Sequence, residues 1–395
     1  MTPAFWRGKK VFITGHTGFK GTWLTLWLQR LGAEVVGYAL PPSTEPSMFT
    51  LTHAREGITS IEGDVRDLAK LQSALHEHQP EIVIHMAAQA LVKTAYADPV
   101  TTYTTNVVGT LNILEAVRHT PSVRVAVCIT SDKCYQNDEW VWGYRENDRM
   151  GGHDPYSSSK GCAELLISAY RDSYFHPDKF GGHGVAVAST RAGNVIGGGD
   201  WSKDRLVPDT MSAIMSGKPV LIRRPGAVRP WQFVLEPLRG YLHLAERLYA
   251  EPTRFAGAWN FGPDIEQIKP VQWITDYLTR RWGDDASWVL DGAIHPHEDH
   301  FLRLDCTKAK SILGWRPAMD LPTVLDWIVE WYRTYHVHGD LRALTEAQIE
   351  RYESFALSLS PNEHEHSRLP VLSDAAFENL RGSRNGTHGQ RLLAS

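Results

Sequence analysis

The sequence has few cysteines, little excess charge and no long hydrophobic run. Only 4 of its 395 residues are cysteine, and no two of them form a Cys-x-x-Cys pair. Disulfide frameworks need more cysteines than this, so a reducing compartment, the cytoplasm, is expected. A formal net charge of -4 provides no broad basic face for nucleic acid. Nucleic acid is therefore not an expected partner. No apolar stretch approaches the roughly 18 residues of a membrane span, so a membrane is not an expected partner either.

The composition is that of a globular protein, with 42% hydrophobic and 22% charged residues. Short apolar segments in the first half alternate with helical segments. The predicted strands are 11–14, 34–38, 82–85, 124–129 and 185–188, and the predicted helices include 68–78, 105–119 and 157–174. Nearly continuous apolar strands separated by helices predict an α/β fold with a doubly wound parallel sheet of the Rossmann type.

The pattern changes along the chain and predicts three parts. Residues 1–190 are expected to form the Rossmann domain, and residues 191–359 mainly a smaller substrate-binding lobe that can return an element to the sheet. Residues 360–395 are polar and lack periodicity, which predicts a flexible tail.

A glycine-rich segment predicts the dinucleotide site. Gly15-His16-Thr17-Gly18-Phe19-Lys20-Gly21 directly follows a predicted strand and opens a predicted helix. In that context the backbone can approach a pyrophosphate, whose charge the helix N-terminus favours. The expected cofactor contacts are Gly15, Thr17, Gly18, Phe19, Lys20 and Gly21. Asp64 and Val65 follow a further strand candidate, where Asp64 could accept a hydrogen bond from the adenine amine.

One usual feature of an NAD site is missing. The second strand normally ends in an acidic residue that holds the ribose hydroxyls, but residues 37–43 read Gly-Tyr-Ala-Leu-Pro-Pro-Ser. Lys20 is a candidate for a 2′-phosphate contact, although a solvent-facing lysine is the simpler interpretation. The residues alone therefore leave the choice between NAD and NADP open.

Tyr156 and Lys160 are four residues apart in a predicted helix and hence on one face of it. A nearby ammonium group is expected to lower the pKa of the tyrosine, which could then take a proton from a substrate hydroxyl. Ser131 lies at the end of a predicted strand and is expected to join this pair.

These segments resemble the extended short-chain dehydrogenase/reductase superfamily, over about residues 10–352. The resemblance includes Ala87-Ala88-Gln89 after a strand and Asn106 on the next helix. It implies NAD as cofactor, Ala87, Ala88, Gln89 and Asn106 near the nicotinamide, and a nucleotide sugar in the second lobe. It also implies a homo-oligomer, either a dimer or a tetramer.

Four segments resemble the nucleotide-sugar 4,6-dehydratases more narrowly. They are Thr130-Ser131-Asp132-Lys133, residues 142–146 (Trp-Gly-Tyr-Arg-Glu), residues 191–201 and residues 229–232 (Arg-Pro-Trp-Gln). Lysine at position 133, in place of the usual glutamate, is similar to the branch acting on CDP-glucose in deoxysugar synthesis of the lipopolysaccharide O-antigen type. The resemblance implies that Tyr156 deprotonates the C4 hydroxyl, tuned by Lys160, with Ser131 nearby. Asp132 would protonate the departing C6 hydroxyl, and Lys133 would take the C5 proton. Asn194, Trp201 and Arg229 are the expected substrate contacts.

Two other functions remain open from the sequence. A nucleotide-sugar 4-epimerase needs the tyrosine–lysine pair but no acid and base beside Ser131, and a non-catalytic NAD-binding protein needs only the glycines. His295, His297 and His300 invite a metal-site interpretation, but no second ligand motif accompanies them and the implied chemistry uses no metal, so no metal is expected.

Overall fold

A parallel sheet of seven strands organises the protein, seen here in a computed structural model that describes residues 2–292 and 301–358. Within those residues the strands, numbered in chain order, are β1 Lys10–Thr14, β2 Glu34–Ala39, β3 Thr59–Glu62, β4 Ile82–His85, β5 Val125–Ile129, β6 Ala186–Ala192, β7 Val195–Ile196, β8 Val220–Ile222, β9 Val228–Pro230, β10 Gln232–Phe233, β11 Gly257–Phe261, β12 Ile268–Pro270 and β13 Trp288–Leu290. The sheet order is β11-β6-β5-β4-β1-β2-β3, and every neighbouring pair in it is parallel.

Helices follow most of the sheet strands. In the described ranges they are α1 Pro3–Trp6, α2 Phe19–Arg30, α3 Met48–Leu51, α4 Leu68–His78, α5 Val92–Ala97, α6 Pro99–Tyr103, α7 Gly109–Arg118, α8 Pro155–Ser173, α9 Phe180–His183, α10 Leu206–Met215, α11 Leu235–Ala250, α12 Pro252–Phe255, α13 Val271–Trp282, α14 Leu321–His336 and α15 Leu341–Ser358. Short 3-10 turns occupy Asp132–Cys134, Pro177–Lys179 and Ile265–Gln267, and π-helical turns occupy Thr104–Val108 and Ala309–Leu313.

The central strands are buried along their whole length, which explains their continuous apolar sequences. All residues of β4 and β5 are buried, and a core cluster on one face joins the sheet to α4 and α7. Local signals also set the start of α8. Pro155 lies in its first turn, and the Asp154 carboxylate accepts a hydrogen bond from the Ser157 amide. That cap fixes the helix that carries Tyr156 and Lys160.

The predicted α/β fold with a doubly wound parallel sheet is confirmed. The structure adds a strand that periodicity alone did not identify: β11 lies beyond residue 190 and pairs with β6, placing Gly257 opposite Ala188. Residues 257–261 thus belong to the central sheet, while the smaller lobe and its boundaries at residues 190 and 359 stay a prediction.

The chain divides into two units, Met1–Tyr352 and Glu353–Ser395. The first contains the sheet and every predicted site residue. Of the second, only residues 353–358 are described, as the end of α15, so the predicted tail at 360–395 lies outside the described residues. Across the described ranges, no helix combines the length and the apolar character needed to span a membrane.

Candidate active site

Most of the predicted site residues lie at one edge of the sheet, near the ends of β1, β4, β5 and β6, whereas Asp64 and Val65 follow β3 at the far side. The strand order reverses between β1 and β4, so their following loops separate and leave a crevice where ligands bind in such sheets. Glycine is required at the base of this crevice: a Cβ on Gly15 would lie 2.8 Å from the Ala87 amide nitrogen, and one on Gly21 would lie 2.1 Å from the Gly15 carbonyl oxygen. The loops after β1 and β4 therefore touch at the base of the crevice and separate above it.

The glycine-rich loop forms an open anion site. Gly18 is the N-cap of α2, and no side chain caps that helix. A Cβ at Gly18 would meet only the Gly15 carbonyl oxygen, at 3.5 Å, so space remains above the helix N-terminus. Thr17 donates a hydrogen bond to the Leu40 carbonyl at 2.9 Å, and the Phe19 ring lies beside Gly197. This cradle fits a dinucleotide pyrophosphate.

At the far side of the sheet, Asp64 already has a strong partner. Its carboxylate accepts hydrogen bonds from the Arg66 side chain at 2.6–3.0 Å, and these contacts lower the pKa of the carboxyl. Val65 is buried, and its side chain lies where a Cβ on Gly109 would clash at 2.7 Å. An adenine contact by Asp64 stays a prediction, and any such contact would be made by a carboxylate that Arg66 holds in place.

Asn106 fixes the loop after β4 to α8. It lies in the π-helical turn Thr104–Val108, a geometry that often occurs at functional sites. Its side-chain amide donates to the Gln89 carbonyl at 2.9 Å and the Ser159 hydroxyl at 2.8 Å, while its oxygen accepts from the Gln89 amide at 2.9 Å. These bonds give Asn106 a positioning role that sequence reasoning missed. Ala87 and Ala88 are half-buried beside Gln89, and the Ala87 amide donates to Thr14.

Ser131, Asp132 and Tyr156, three of the predicted catalytic residues, form one hydrogen-bonded group. Ser131, Asp132 and Lys133 follow β5, and Ser131 caps the 3-10 turn by accepting from the Lys133 amide at 3.2 Å. The Ser131 hydroxyl also donates to the Asp132 carboxylate at 3.0 Å and hydrogen bonds with Tyr156. Asp132, Tyr156 and Lys160 are all buried. The structure thus brings a carboxyl group and a phenol together around one serine.

The electrostatics correct one expectation about Tyr156. Burial raises the pKa of its phenol to about 12, against a lowering by the hydrogen bond with Ser131. Burial also lowers the pKa of Lys160 to about 8, opposed by the negative charge of Glu164. In the protein alone, desolvation therefore outweighs the expected effect of the ammonium group on the phenol.

Asp132 has the properties of a proton donor. Its burial raises the pKa of the carboxyl, although the charge of Lys133 and the hydrogen bond from Ser131 act against that rise. A buried carboxyl with a raised pKa retains its proton more readily at neutral pH. Lys133 is half-buried in the same turn.

Lys20 lies at the catalytic end of the crevice. It is half-buried, its ammonium group lies 3.2 Å from the Tyr241 hydroxyl, and it interacts electrostatically with Lys160 and Asp132. Burial, followed by repulsion from Lys160, lowers the pKa of Lys20 to about 7. Helix α2 carries the side chain toward α11, so Lys20 is not the solvent-facing lysine considered in the sequence, while its contact with the cofactor stays a prediction.

Gly193 is a site residue that the sequence analysis missed. A Cβ there would lie 2.8 Å from the Asp132 Oδ2 atom and 3.3 Å from the Pro230 side chain. The segment after β6 therefore contacts the carboxyl group directly. Glycine leaves the space that this carboxyl occupies.

The predicted substrate contacts lie on three segments of the second half. Asn194 is half-buried after β6, and its carbonyl accepts from the Gln232 amide at 3.0 Å. Arg229 lies in β9, and its charge acts on Asp132. Trp201 packs against Trp331, Tyr332 and Tyr335 of α14. Arg229 is thus placed near the catalytic group, whereas the packing of Trp201 favours a structural role.

The three histidines considered as metal ligands, His295, His297 and His300, lie outside the described residues. Among the residues that are described, no group of three or more His, Cys, Asp or Glu side chains could hold a metal ion.

Comparisons of the sequence indicate one family, and comparisons of the structure indicate a fold that several enzymes share. The sequence matches the profile of the family described as GDP-mannose 4,6 dehydratase over residues 12–249. CDP-glucose 4,6-dehydratase from Salmonella typhimurium is 53% identical over 350 residues, which cover 89% of this chain and 98% of that protein. A structure of UDP-glucose 4-epimerase from Thermotoga maritima with UDP-glucose aligns with a TM-score of 0.71 at 22% identity, covering 82% of this chain and 99% of that one. A dTDP-glucose 4,6-dehydratase from Bacillus anthracis, in complex with NAD, aligns with a TM-score of 0.69 at 19% identity, covering 85% and 100%.

The sheet, its glycine-rich crevice and the Tyr156–Lys160 pair define a protein of the extended short-chain dehydrogenase/reductase class. The two structural matches establish this fold, which epimerases and dehydratases share. The sequence matches go further, and the chain belongs to the GDP-mannose 4,6-dehydratase family of nucleotide-sugar dehydratases.

Proposed function

We propose that this chain is an NAD-dependent CDP-glucose 4,6-dehydratase, which converts CDP-glucose to CDP-4-dehydro-6-deoxyglucose and water. One observation carries the proposal: the buried Asp132 carboxyl, with its raised pKa, is joined through Ser131 to Tyr156. An epimerase needs the tyrosine but has no use for a proton donor at this position. The 53% identity to the Salmonella enzyme supports the choice of CDP-glucose as substrate.

NAD would bind across the crevice. Gly15, Gly18 and Gly21 would accommodate the pyrophosphate at the start of α2, and Gln89, held by Asn106, would lie beside the nicotinamide. When bound, the nicotinamide supplies the site that accepts and returns a hydride.

Tyr156 performs the first proton transfer. It accepts the proton of the sugar C4 hydroxyl as C4 becomes a ketone. The phenol needs help to ionise because burial raises its pKa to about 12. Lys160, one helical turn away, and Ser131 are the groups placed to stabilise the phenolate.

Asp132 and Lys133 then remove water from the sugar. The C4 ketone makes the C5 proton acidic, and the C6 hydroxyl lies β to the carbonyl. The neutral Lys133 amine takes the C5 proton, and the Asp132 carboxyl gives its proton to the C6 hydroxyl, which departs as water and leaves a C5–C6 double bond. Return of the hydride to C6, with return of the proton from Lys133 to C5, would then give the 6-deoxy product. Arg229, near Asp132, would bind a phosphate oxygen of the substrate. Asn194, the residue after Gly193, would contact the substrate beside it.

The test is to incubate the purified protein and NAD separately with CDP-, UDP-, GDP- and dTDP-glucose. Loss of one water from CDP-glucose, with formation of the alkali-sensitive 4-keto chromophore, is expected. With CDP-glucose deuterated at C4, the product should retain the label at C6. Conversion to CDP-galactose without loss of water would instead establish an epimerase, and no conversion of any sugar would refute catalysis of this kind. Tyr156→Phe serves as the inactive control.

We also propose that the protein is a homo-oligomer. Apolar side chains are exposed on α5, α6 and α8, with Tyr96, Val100 and Leu165 at 53%, 71% and 60% exposure. Such a surface favours association with a second copy. Sedimentation of the native protein and of Leu165→Arg tests this. The native protein should sediment as an oligomer and the variant should dissociate, whereas a monomeric native protein would contradict the proposal.

A cytoplasmic location completes the proposal. All four cysteines are free thiols, and three of them, Cys128, Cys134 and Cys306, are buried. Free thiols are typical of a reducing compartment. Cell fractionation tests the location, and recovery of the protein outside the cytoplasm would contradict it.

A further inference from the structure

A buried carboxylate lies directly behind the catalytic pair. Glu164 is on α8, four residues after Lys160 and therefore on the same face of the helix, and it is only 4% exposed. Its negative charge acts on Lys160 and favours the protonated ammonium form. The steps of the proposed reaction do not use this carboxylate.

Glu164 is fully engaged in hydrogen bonds. Its carboxylate accepts from the Thr130 hydroxyl at 2.5 Å, the Ser189 hydroxyl at 2.8 Å and the Arg191 guanidinium at 2.7 Å. Burial raises the pKa of its carboxyl, but the charge and hydrogen bonds of Arg191 outweigh that effect, so the net shift is downward. Glu164 is therefore held as a carboxylate.

The partners of Glu164 flank the acid–base segment Ser131–Cys134. Thr130 immediately precedes Ser131, and its amide also donates to the Thr190 carbonyl. On the other side, Arg191 donates to the hydroxyl of Tyr135, which follows Cys134, at 2.6 Å. Both ends of the segment are thus attached to one buried ion pair.

We propose that Glu164 is a positioning residue of this active site: its carboxylate places a negative charge one helical turn from Lys160, and with Arg191 it fixes both ends of the segment that carries Asp132 and Lys133. This role deepens the proposed dehydratase function and rests on it for the identity of the reaction. Glu164 itself contacts no reacting atom.

The groups that face Lys160 come from several elements. Besides Glu164 on α8 they are Cys128 on β5, Cys134 in the 3-10 turn, His85 on β4 and Lys20 on α2. Burial lowers the pKa of His85 to about 3 and raises that of Cys128 to about 12, so both are neutral near pH 8. Among these groups, Glu164 supplies the negative charge in that range.

A titration of Lys160 tests the charge directly. In protein labelled with ¹³C at lysine Cε, the Lys160 resonance is assigned by its absence from Lys160→Arg, and its native midpoint is expected at about pH 8. In Glu164→Gln the midpoint should fall by about one unit, a tenfold change in acidity. Ser189→Ala, which removes one hydrogen bond and keeps the charge, should titrate like the native protein. An unchanged midpoint in Glu164→Gln would overturn the proposal.

Glu164→Gln leaves a buried guanidinium without its anion, which can prevent folding. The double variant Glu164→Gln/Arg191→Gln removes both charges and is measured in parallel, with circular dichroism to establish that it folds. The same lowered Lys160 midpoint is expected, because the anion is gone. A native midpoint in the double variant would refute the role assigned to Glu164.

Kinetics with CDP-glucose provide the second measurement. In Glu164→Gln, kcat on the alkaline side should decline at a pH about one unit lower than in the native enzyme, whereas KM changes less than about twofold. Structural damage alone would reduce kcat at every pH without moving the decline. Glu164→Asp, which restores the charge, should restore its position. If the native protein does not dehydrate CDP-glucose, the proposed function fails, while the lysine titration still decides the role of Glu164.

Discussion

Replacing Gly193 by alanine should slow dehydration while leaving the fold intact. The new Cβ would lie 2.8 Å from the Asp132 Oδ2 atom, whereas ordinary contacts begin at 3.4 Å, so the carboxyl must move by 0.6 Å or more. The Gly193 backbone has no positive φ, so alanine introduces no strain of its own. The carboxyl group is the movable partner, and its displacement disturbs the hydrogen bond from Ser131.

The size of the effect follows from that displacement. Misplacement of a catalytic group by about 1 Å can cost roughly 100-fold in rate. A shift of 0.6 Å is therefore expected to reduce kcat by about 10- to 100-fold, or about 1.4–2.7 kcal/mol in the activation free energy. The effect on KM should be small, because Asp132 acts on the departing hydroxyl and its carboxyl is not one of the proposed substrate-binding groups.

The assay is steady-state formation of the 4-keto sugar, accompanied by thermal unfolding and NAD binding. Gly226→Ala is the matched control, because a Cβ at Gly226 would meet nothing within 4 Å. Native kcat in Gly193→Ala would refute the contact argument. A loss of NAD binding, or a large fall in Tm, would show that the substitution acts on the fold instead of the carboxyl group.

Three further predictions concern neighbouring residues. Asp132→Asn should lower kcat by about 10²–10⁴-fold and raise Tm by about 1–3 °C at pH 8. Burial disfavours the ionised carboxyl and raises its pKa in the folded protein, so the native protein loses stability as the pH rises above 3.8. The gain in Tm from asparagine should therefore appear above that pH. A Tm equal to the native value across this range would contradict that burial cost. Lys133→Ala should lose dehydration by a similar factor with native NAD binding and circular dichroism, so full turnover would exclude it as the C5 base. Asn106→Leu should destabilise the protein by about 1–3 kcal/mol and weaken NAD binding, because the Gln89 amide and carbonyl lose their buried partner. Calorimetry measures the affinity for NAD, and an unchanged affinity would argue against the positioning role.

The sequence predicted most of the framework because its signals are local. The helix 68–78 coincides with α4, and α8 differs from its predicted range, 157–174, by two residues at its start and one at its end. Apolar strands and a capped helix depend on residues close together in the chain, so periodicity and end signals indicate them. β11 was missed as a sheet strand because its pairing with β6 joins residues about seventy positions apart.

The site shows the same division between local and long-range information. The glycine-rich loop and the Tyr156–Lys160 pair could be identified from the sequence pattern, and the family resemblance indicated roles for Asp132 and Lys133. The contact of Gly193 with Asp132 arises only because the neighbouring strands β5 and β6 place their carboxyl ends side by side. The pKa of Tyr156 was predicted in the wrong direction for the protein alone, since a sequence gives the nearby charge but not the burial.

By itself, the sequence determined the parallel α/β architecture, the dinucleotide loop and the helix that carries the tyrosine and lysine. Tertiary structure decided which distant side chains share the site: the Asn106 clamp on Gln89, the buried Glu164–Arg191 pair and the position of Lys20 at the catalytic end. The reason is physical. Parallel strands bring their carboxyl ends to one edge, and burial there sets the charge of each group through desolvation, which depends on every element packed around it.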